Sequence, residues 1–210
     1  PDKEEVFNLL KKEEKQIKLS VNLKPINLSN FEKKEKIGQG SFGKVYKVVN
    51  KKTRKIFACK ISILELDFCS DLEIENIERE LNIMSQIKSP SIIKFIGYNP
   101  MNFKNQMRPT MITEFIPNGT LDIILKLERK GLSNDNWNDT KKLINIYGIA
   151  CGMSYLHSHN YLHRDLKPAN VFLDDYLFPI IGDFGLSKEI AHEKINGKKS
   201  GLKGTCAYIA

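Results

Sequence analysis

Several features are scarce in this chain, and each scarcity excludes something. No apolar run approaches the ~18 residues that a membrane-spanning helix needs, so no membrane span is expected. Cysteine occurs four times, at 59, 69, 151 and 206, with no CxxC pair and no histidine at zinc-ligand spacing. That pattern argues against a disulfide framework or zinc site, and for reduced thiols in a cytoplasmic protein. The opening Pro1-Asp2-Lys3-Glu4-Glu5 is acidic and polar, unlike a secretory signal. No internal repeat is visible. What is present suits an ordinary folded domain: 210 residues, 41% hydrophobic and 28% charged. The net charge of +8 raises nucleic acid as a partner. The lysines, however, are scattered in pairs such as Lys11-Lys12, Lys33-Lys34 and Lys141-Lys142 among acidic residues, with no aromatic platform. They read as solvated surface, and no nucleic-acid partner is expected.

Hydrophobic spacing divides the chain. Residues 1–20 carry Val6, Leu9, Leu10 and Ile17 at loosely helical intervals and read as a flanking helix or a disordered extension, within an N-terminal extension over 1–30. Residues 31–61 are β-favouring and interrupted twice by turn-formers, which predicts three antiparallel strands. Residues 71–87 switch to helical spacing, with Leu72, Ile74, Ile77, Leu81, Met84 and Ile87 along one side and acidic residues in the first turns. Two further strands are expected in 92–98 and 107–116, then helices over 121–129 and 139–158, and short β pieces at 171–173 and 178–181. A strand-rich half followed by a helix-rich half predicts an α+β, two-lobed layout.

The first chemical signal is Ile37-Gly38-Gln39-Gly40-Ser41-Phe42-Gly43-Lys44-Val45. Glycines at this spacing let a backbone approach phosphates closely. Alone, the pattern also fits a dinucleotide-binding turn, a Walker A loop or a plain hairpin. The dinucleotide version must open a helix, but the residues after Gly43 alternate like a strand. A Walker A loop next needs Ser or Thr, where this chain has Val45. A strand–glycine loop–strand hairpin remains.

With the later motifs added, the chain resembles the eukaryotic protein kinase family over residues 37–210. The motifs are Phe57-Ala58-Cys59-Lys60, Glu80 on the predicted helix, His163-Arg164-Asp165-Leu166-Lys167-Pro168-Ala169-Asn170, Asp183-Phe184-Gly185, and Gly204-Thr205-Cys206-Ala207-Tyr208-Ile209-Ala210. The resemblance implies a five-stranded small lobe with one helix over 31–116, and a mainly helical, incomplete large lobe over 117–210 that ends in the activation segment. It implies MgATP as cofactor and Ser/Thr-bearing proteins as substrates. By the same resemblance, Ile37, Gly38, Gly40 and Gly43 cover the phosphates, Lys60 contacts them, and Glu80 holds the Lys60 ammonium. Glu75 and Glu78 are nearby carboxylates on the same helix. Asn170 and Asp183 offer hard oxygens to Mg²⁺. Asp165 accepts or orients the substrate hydroxyl proton, and Lys167 steadies the γ-phosphoryl group. Val45 and Ala58 cover one adenine face and Phe172, larger than the usual Leu, covers the other. Glu114 C=O and Ile116 N–H face the adenine edge, and Thr113, small at the gatekeeper position, predicts a pocket behind the base.

Met84, Phe95, His163 and Phe184 match the apolar stack that joins the lobes in the family, so His163 is expected to pack rather than act as a base. Lys167-Pro168 and Gly204-Thr205 look like Ser/Thr kinases, and the hinge with Gly182-Asp183-Phe184-Gly185-Leu186-Ser187 like their tyrosine-kinase-like branch. A loop containing Ser187 and Ser200 follows, and Ser200 is a candidate phosphosite paired with Arg164. Two alternatives stay open: a pseudokinase scaffold, disfavoured by the presence of Lys60, Asp165 and Asp183, and a small-molecule kinase, disfavoured by residues 204–210. The isolated piece is expected to be poorly stable and weakly active, with an apolar large-lobe face left open.

Overall fold

Alternating β-branched and aromatic residues build a five-stranded antiparallel sheet in the computed structural model, which describes residues 19–40, 43–133 and 135–190. The strands are β1 (Phe31–Gln39), β2 (Gly43–Asn50), β3 (Ile56–Ser62), β4 (Phe95–Asn99) and β5 (Thr110–Glu114), in the order β1-β2-β3-β5-β4. Period-two alternation splits β3 cleanly. Cys59 and Ile61 enter a core with Phe31, Val48 and Ile112, against which Phe57 packs. Ala58, Lys60 and Ser62 take the other face.

Helix α1 (Asp71–Gln86) follows β3. It starts where Ser70 caps it: the Ser70 hydroxyl accepts from Glu73 N–H, and the Glu73 carboxylate accepts from Ser70 N–H. Leu81, Ile83 and Met84 form its buried side.

The two later strands are shorter than expected, for local reasons. Ile92 forms a parallel bridge to Ile181, Ile93 N–H donates to Ile181 C=O, and Ile181 N–H donates to Ser91 C=O. The start of the expected 92–98 strand therefore ties the small lobe to the large one, and β4 begins at Phe95. Upstream of β5, Met107 C=O accepts from Leu66 N–H, and Pro109 has no N–H to donate.

Residues 19–30 lie on the small lobe. Leu19 is buried, Val21 and Leu23 half-buried, and Ser20, Asn22 and Lys24 exposed, the alternation of an extended segment. The helical spacing read in residues 1–18 lies outside the described residues.

The large lobe holds α2 (Leu121–Arg129) and α3 (Asp139–Ser158), with the bounds the periodicity predicts. Two small antiparallel pairs accompany them, β6 (Tyr161–Leu162) with β9 (Lys188–Glu189), and β7 (Val171–Leu173) with β8 (Pro179–Ile181). Leu121, Trp137, Val171 and Leu173 form a core of their own. Of the recurring apolar residues of α3, Leu156 is buried, Ile149 and Met153 are packed against the core, and Leu143 and Ile146 are exposed. Among the described residues no helix is long and apolar enough to cross a membrane.

Candidate active site

Directly paired residues in an antiparallel sheet share a face. Val45 pairs with Lys60, Lys60 with Met111, and Ala58 with Thr113, so these five residues look onto one cleft below the sheet. Gly38 pairs with Val45 across a register shift that leaves Ile37 in a bulge and exposed. Gly40 N–H donates to Gly43 C=O, closing the hairpin. Ser41 and Phe42 at its tip lie outside the described residues.

The small lobe delivers an ammonium to the cleft. Lys60 Nζ lies 2.6 Å from Glu80 Oε1 and 3.8 Å from Asp183 Oδ1. Of the neighbouring carboxylates on α1, Glu75 is exposed and Glu78 accepts from the Ser20 N–H; Glu80 is the one that meets Lys60. Burial alone pulls the Lys60 pKa down, but the Glu80 and Asp183 carboxylates overturn this and hold it above its ordinary value. Lys60 therefore stays charged at neutral pH. A cavity of about 270 Å³ opens beside the pair, lined by Ile77, Glu80, Leu81, Met111 and Leu186. Thr113 is not in its lining, so this is not the pocket that the small gatekeeper predicts.

The large lobe delivers the acids. Pairing of Val171 with Ile181 sets Asn170 beside Gly182, whose N–H donates to Asn170 C=O. Asn170 Nδ2 donates to the Asp165 carbonyl at 2.8 Å and to Asp165 Oδ2 at 3.0 Å, which turns its own Oδ1 the other way. Lys167 Nζ donates to Asp165 Oδ2 at 2.7 Å. Asp183 holds φ +62°, a left-handed conformation that Asp tolerates and that is found at constrained functional positions. Its side chain stays half-exposed while Phe184 beside it is buried.

His163 has no nitrogen to spare. Its Nδ1 accepts from Asp165 N–H, so Nε2 carries the proton donated to Gly182 C=O at 3.0 Å. Burial pushes the imidazole pKa below its ordinary value, and it stays neutral. Its ring lies 5.0 Å from that of Phe184. Met84 and Phe184 share one core cluster, with Phe95 packed against it. The lobes are thus joined through packed side chains.

At the hinge, Glu114 N–H donates to Lys94 C=O and the Glu114 carboxylate accepts from Lys94 N–H. Glu114 C=O accepts from Thr113 Oγ1 at 3.2 Å, and Ile116 packs against the core. Phe172 fits because of Gly182: a Cβ there would fall 2.7 Å from Phe172 Cε2.

Ser187, which the sequence places in a polar loop, is buried and donates to His163 C=O. Arg164 adopts φ +66°. Ser200 and residues 204–210 lie outside the described residues. The ties from Ile92 and from Leu19 to the core were missed. The second was legible in the Leu19-Ser20-Val21-Asn22-Leu23 alternation.

Two ammoniums (Lys60, Lys167), three carboxylates (Glu80, Asp165, Asp183) and the Asn170 carboxamide, contributed by both lobes, make a polar cleft whose chemistry would depend on placing charge. The chain matches the protein kinase domain model over residues 31–210, and it belongs to that family. It is 31% identical over 185 residues to a probable serine/threonine-protein kinase of Dictyostelium discoideum, 31% over 190 to the serine/threonine-protein kinase sgk-1 of Caenorhabditis elegans, and 33% over 184 to a cysteine-rich receptor-like protein kinase of Oryza sativa. These alignments cover 88%, 89% and 86% of this chain, and 38%, 38% and 25% of the relatives, so the chain spans well under half of their length.

Proposed function

We propose that the full-length protein transfers the γ-phosphoryl group of MgATP to Ser or Thr hydroxyls of other proteins. The observation that carries this reading is the Lys60 ammonium lying between Glu80 and Asp183, one carboxylate from each lobe. In this reading Lys60 binds the α- and β-phosphates, with Glu80 fixing its position. Ile37, Gly38, Gly40 and Gly43 cover the nucleotide, and Val45, Ala58 and Phe172 enclose the base. Glu114 C=O and Ile116 N–H read its edge beside Thr113. Asp183 and Asn170 offer two hard oxygens. Among the described residues no group of three or more His, Cys, Asp or Glu could hold an ion. That suits Mg²⁺, which binds through one or two protein ligands together with phosphates and water. When bound, Mg²⁺ offsets phosphate charge.

Asp165 takes the hydroxyl proton on its carboxylate, or orients it. Lys167, 2.7 Å from Asp165, steadies the γ-phosphoryl group during transfer. Lys167-Pro168 and the relatives' names support Ser/Thr acceptors, while the hinge and residues 182–187 support the tyrosine-kinase-like branch. Residues 31–116 and 117–210 serve as small lobe and partial large lobe. The free Cys59, Cys69 and Cys151 support a reducing, cytoplasmic setting. Lysines 34, 47, 126 and 142 pair with acids, which supports protein rather than nucleic acid as partner.

The test is ATP-dependent phosphorylation of Ser, Thr and Tyr peptide libraries by the full-length protein. Asp165→Asn should lower kcat by roughly 10²–10⁴-fold. Equal turnover by this variant, or a preference for Tyr, would overturn the reading.

A further inference from the structure

The back of α1 carries a feature that the phosphoryl-transfer reading leaves unused. Residues 19–28 run as a strap fixed at both ends. At one end Leu19 is 6% exposed and sits in the same core cluster as Leu81, Met84 and Tyr98, while the Glu78 carboxylate accepts the Ser20 N–H. At the other end Ile26 N–H donates to Tyr98 C=O at 2.8 Å, and Asn99 Nδ2 donates to Ile26 C=O at 2.8 Å. Ile26 lies so close to Gly97 that a Cβ at 97 would collide with its side chain, so β4 has a glycine where the strap crosses. Leu28 is then buried in the sheet's outer core with Phe31 and Val48.

Glu78 and Glu80 are two residues apart on a helix, and so about 200° apart around its axis. The strap therefore grips α1 on the side away from the cleft, and Lys60 holds it on the cleft side. Without the strap, the hold on α1 would rest on the Lys60 ion pair, the packing of Ile74, Ile77, Leu81, Ile83 and Met84, and the hydrogen bond from Tyr161 to Gln86 at its far end. A single part-exposed ion pair is a weak restraint.

We propose that residues 19–28 hold α1 at the position where Glu80 reaches Lys60, with Leu19 as the positioning residue and the Ser20–Glu78 hydrogen bond as its catch. Leu19 touches no reacting atom; it acts through α1. The proposal rests on the kinase reading for its effect on turnover, but its structural content stands on α1 alone.

The test uses the full-length protein in a double-mutant cycle. Leu19→Ala should lower kcat by at least ~10-fold, yet by less than ~2-fold in a Glu80→Gln background, where the position of α1 no longer matters. Leu19→Met should restore most of the activity. Hydrogen exchange read in parallel should show the α1 amides opening ~10-fold faster in Leu19→Ala, with those of α3 unchanged. An equal fold-loss in both backgrounds would mean that Leu19 serves stability alone, and would overturn the proposal, as would no loss. If the wild-type protein transfers no phosphate, the kinase reading fails separately and exchange decides: unchanged α1 protection overturns the strap, and faster opening supports it. Should Leu19→Ala not fold, Ser20→Pro removes the N–H that Glu78 accepts without opening a cavity, and carries the same comparisons.

Discussion

Cys59 and Lys60 are neighbours on β3, and strand alternation gives them opposite environments. Lys60 meets two carboxylates and keeps its charge. Cys59 is fully buried, and burial pushes its thiol up to about 12. Thiolate is the reactive form, so at pH 8 Cys59 has on the order of one part in 10⁴ available. Native alkylation followed by mass spectrometry should label the exposed Cys151 and spare Cys59; rapid labelling of Cys59 would contradict its placement. The same shift predicts an alkaline limit. The folded-state pKa is raised above the unfolded value of 9.0, so the stabilisation is complete below pH 9 and is lost as pH rises toward about 12. Urea unfolding at pH 8 and pH 10.5 should show a larger loss for wild type than for Cys59→Val. At this scale the cleft residues were legible because each motif names its chemistry. Among Glu75, Glu78 and Glu80, the resemblance points to Glu80 by its place in the family's helix pattern. In the fold, helix geometry turns Glu80 toward Lys60 and Glu78 toward Ser20.

Helices α2 and α3 end where the periodicity places them because their stops are local: Asn138 caps α3, and Gly131 follows α2 at φ +69°. The strands β4 and β5 are shorter than the sequence predicts because apolar letters do not say which partner they pair with. Ile92 and Ile93 are as strand-like as Phe95, but Ile92 bridges to Ile181 and Ile93 N–H donates to Ile181 C=O, so they pair with the large lobe rather than extending β4. At Leu19 and Ser20 the reason is related: the helical spacing expected over residues 1–20 hides a period of two that begins at Leu19. Helix α1 also has a local stop that can be tested. Ser70→Ala removes the hydroxyl that accepts the Glu73 N–H, and should cost about 1 kcal/mol in urea unfolding. Hydrogen exchange should rise in the first turn of α1 and not in α3; an unchanged midpoint would show the cap to be idle.

On the scale of the whole molecule, the cleft is held by packed contacts that cross between lobes. The His163 ring meets that of Phe184, which shares a core cluster with Met84, and Ile181 bonds to Ser91 and Ile93. These keep Lys60 near Asp183. The outer side of α3 has no such cover among the described residues. Leu143, Ile146 and Tyr147 are 67%, 66% and 72% exposed, and their three- and four-residue spacing gathers them on one face. A contiguous apolar face of this kind drives association. The 210-residue chain should therefore self-associate with rising concentration in sedimentation velocity, and bind a hydrophobic dye. The triple variant Leu143→Lys, Ile146→Glu, Tyr147→Lys should sediment as a monomer. Because the three side chains contribute little to the interior, its melting temperature should stay within a few degrees of wild type. The single tryptophan, Trp137, is buried and donates to Glu128, so its emission reports the large lobe directly during that melt. Monomeric wild type, or a triple variant that unfolds, would mean that this face of α3 is satisfied from within the chain and is not a surface awaiting cover.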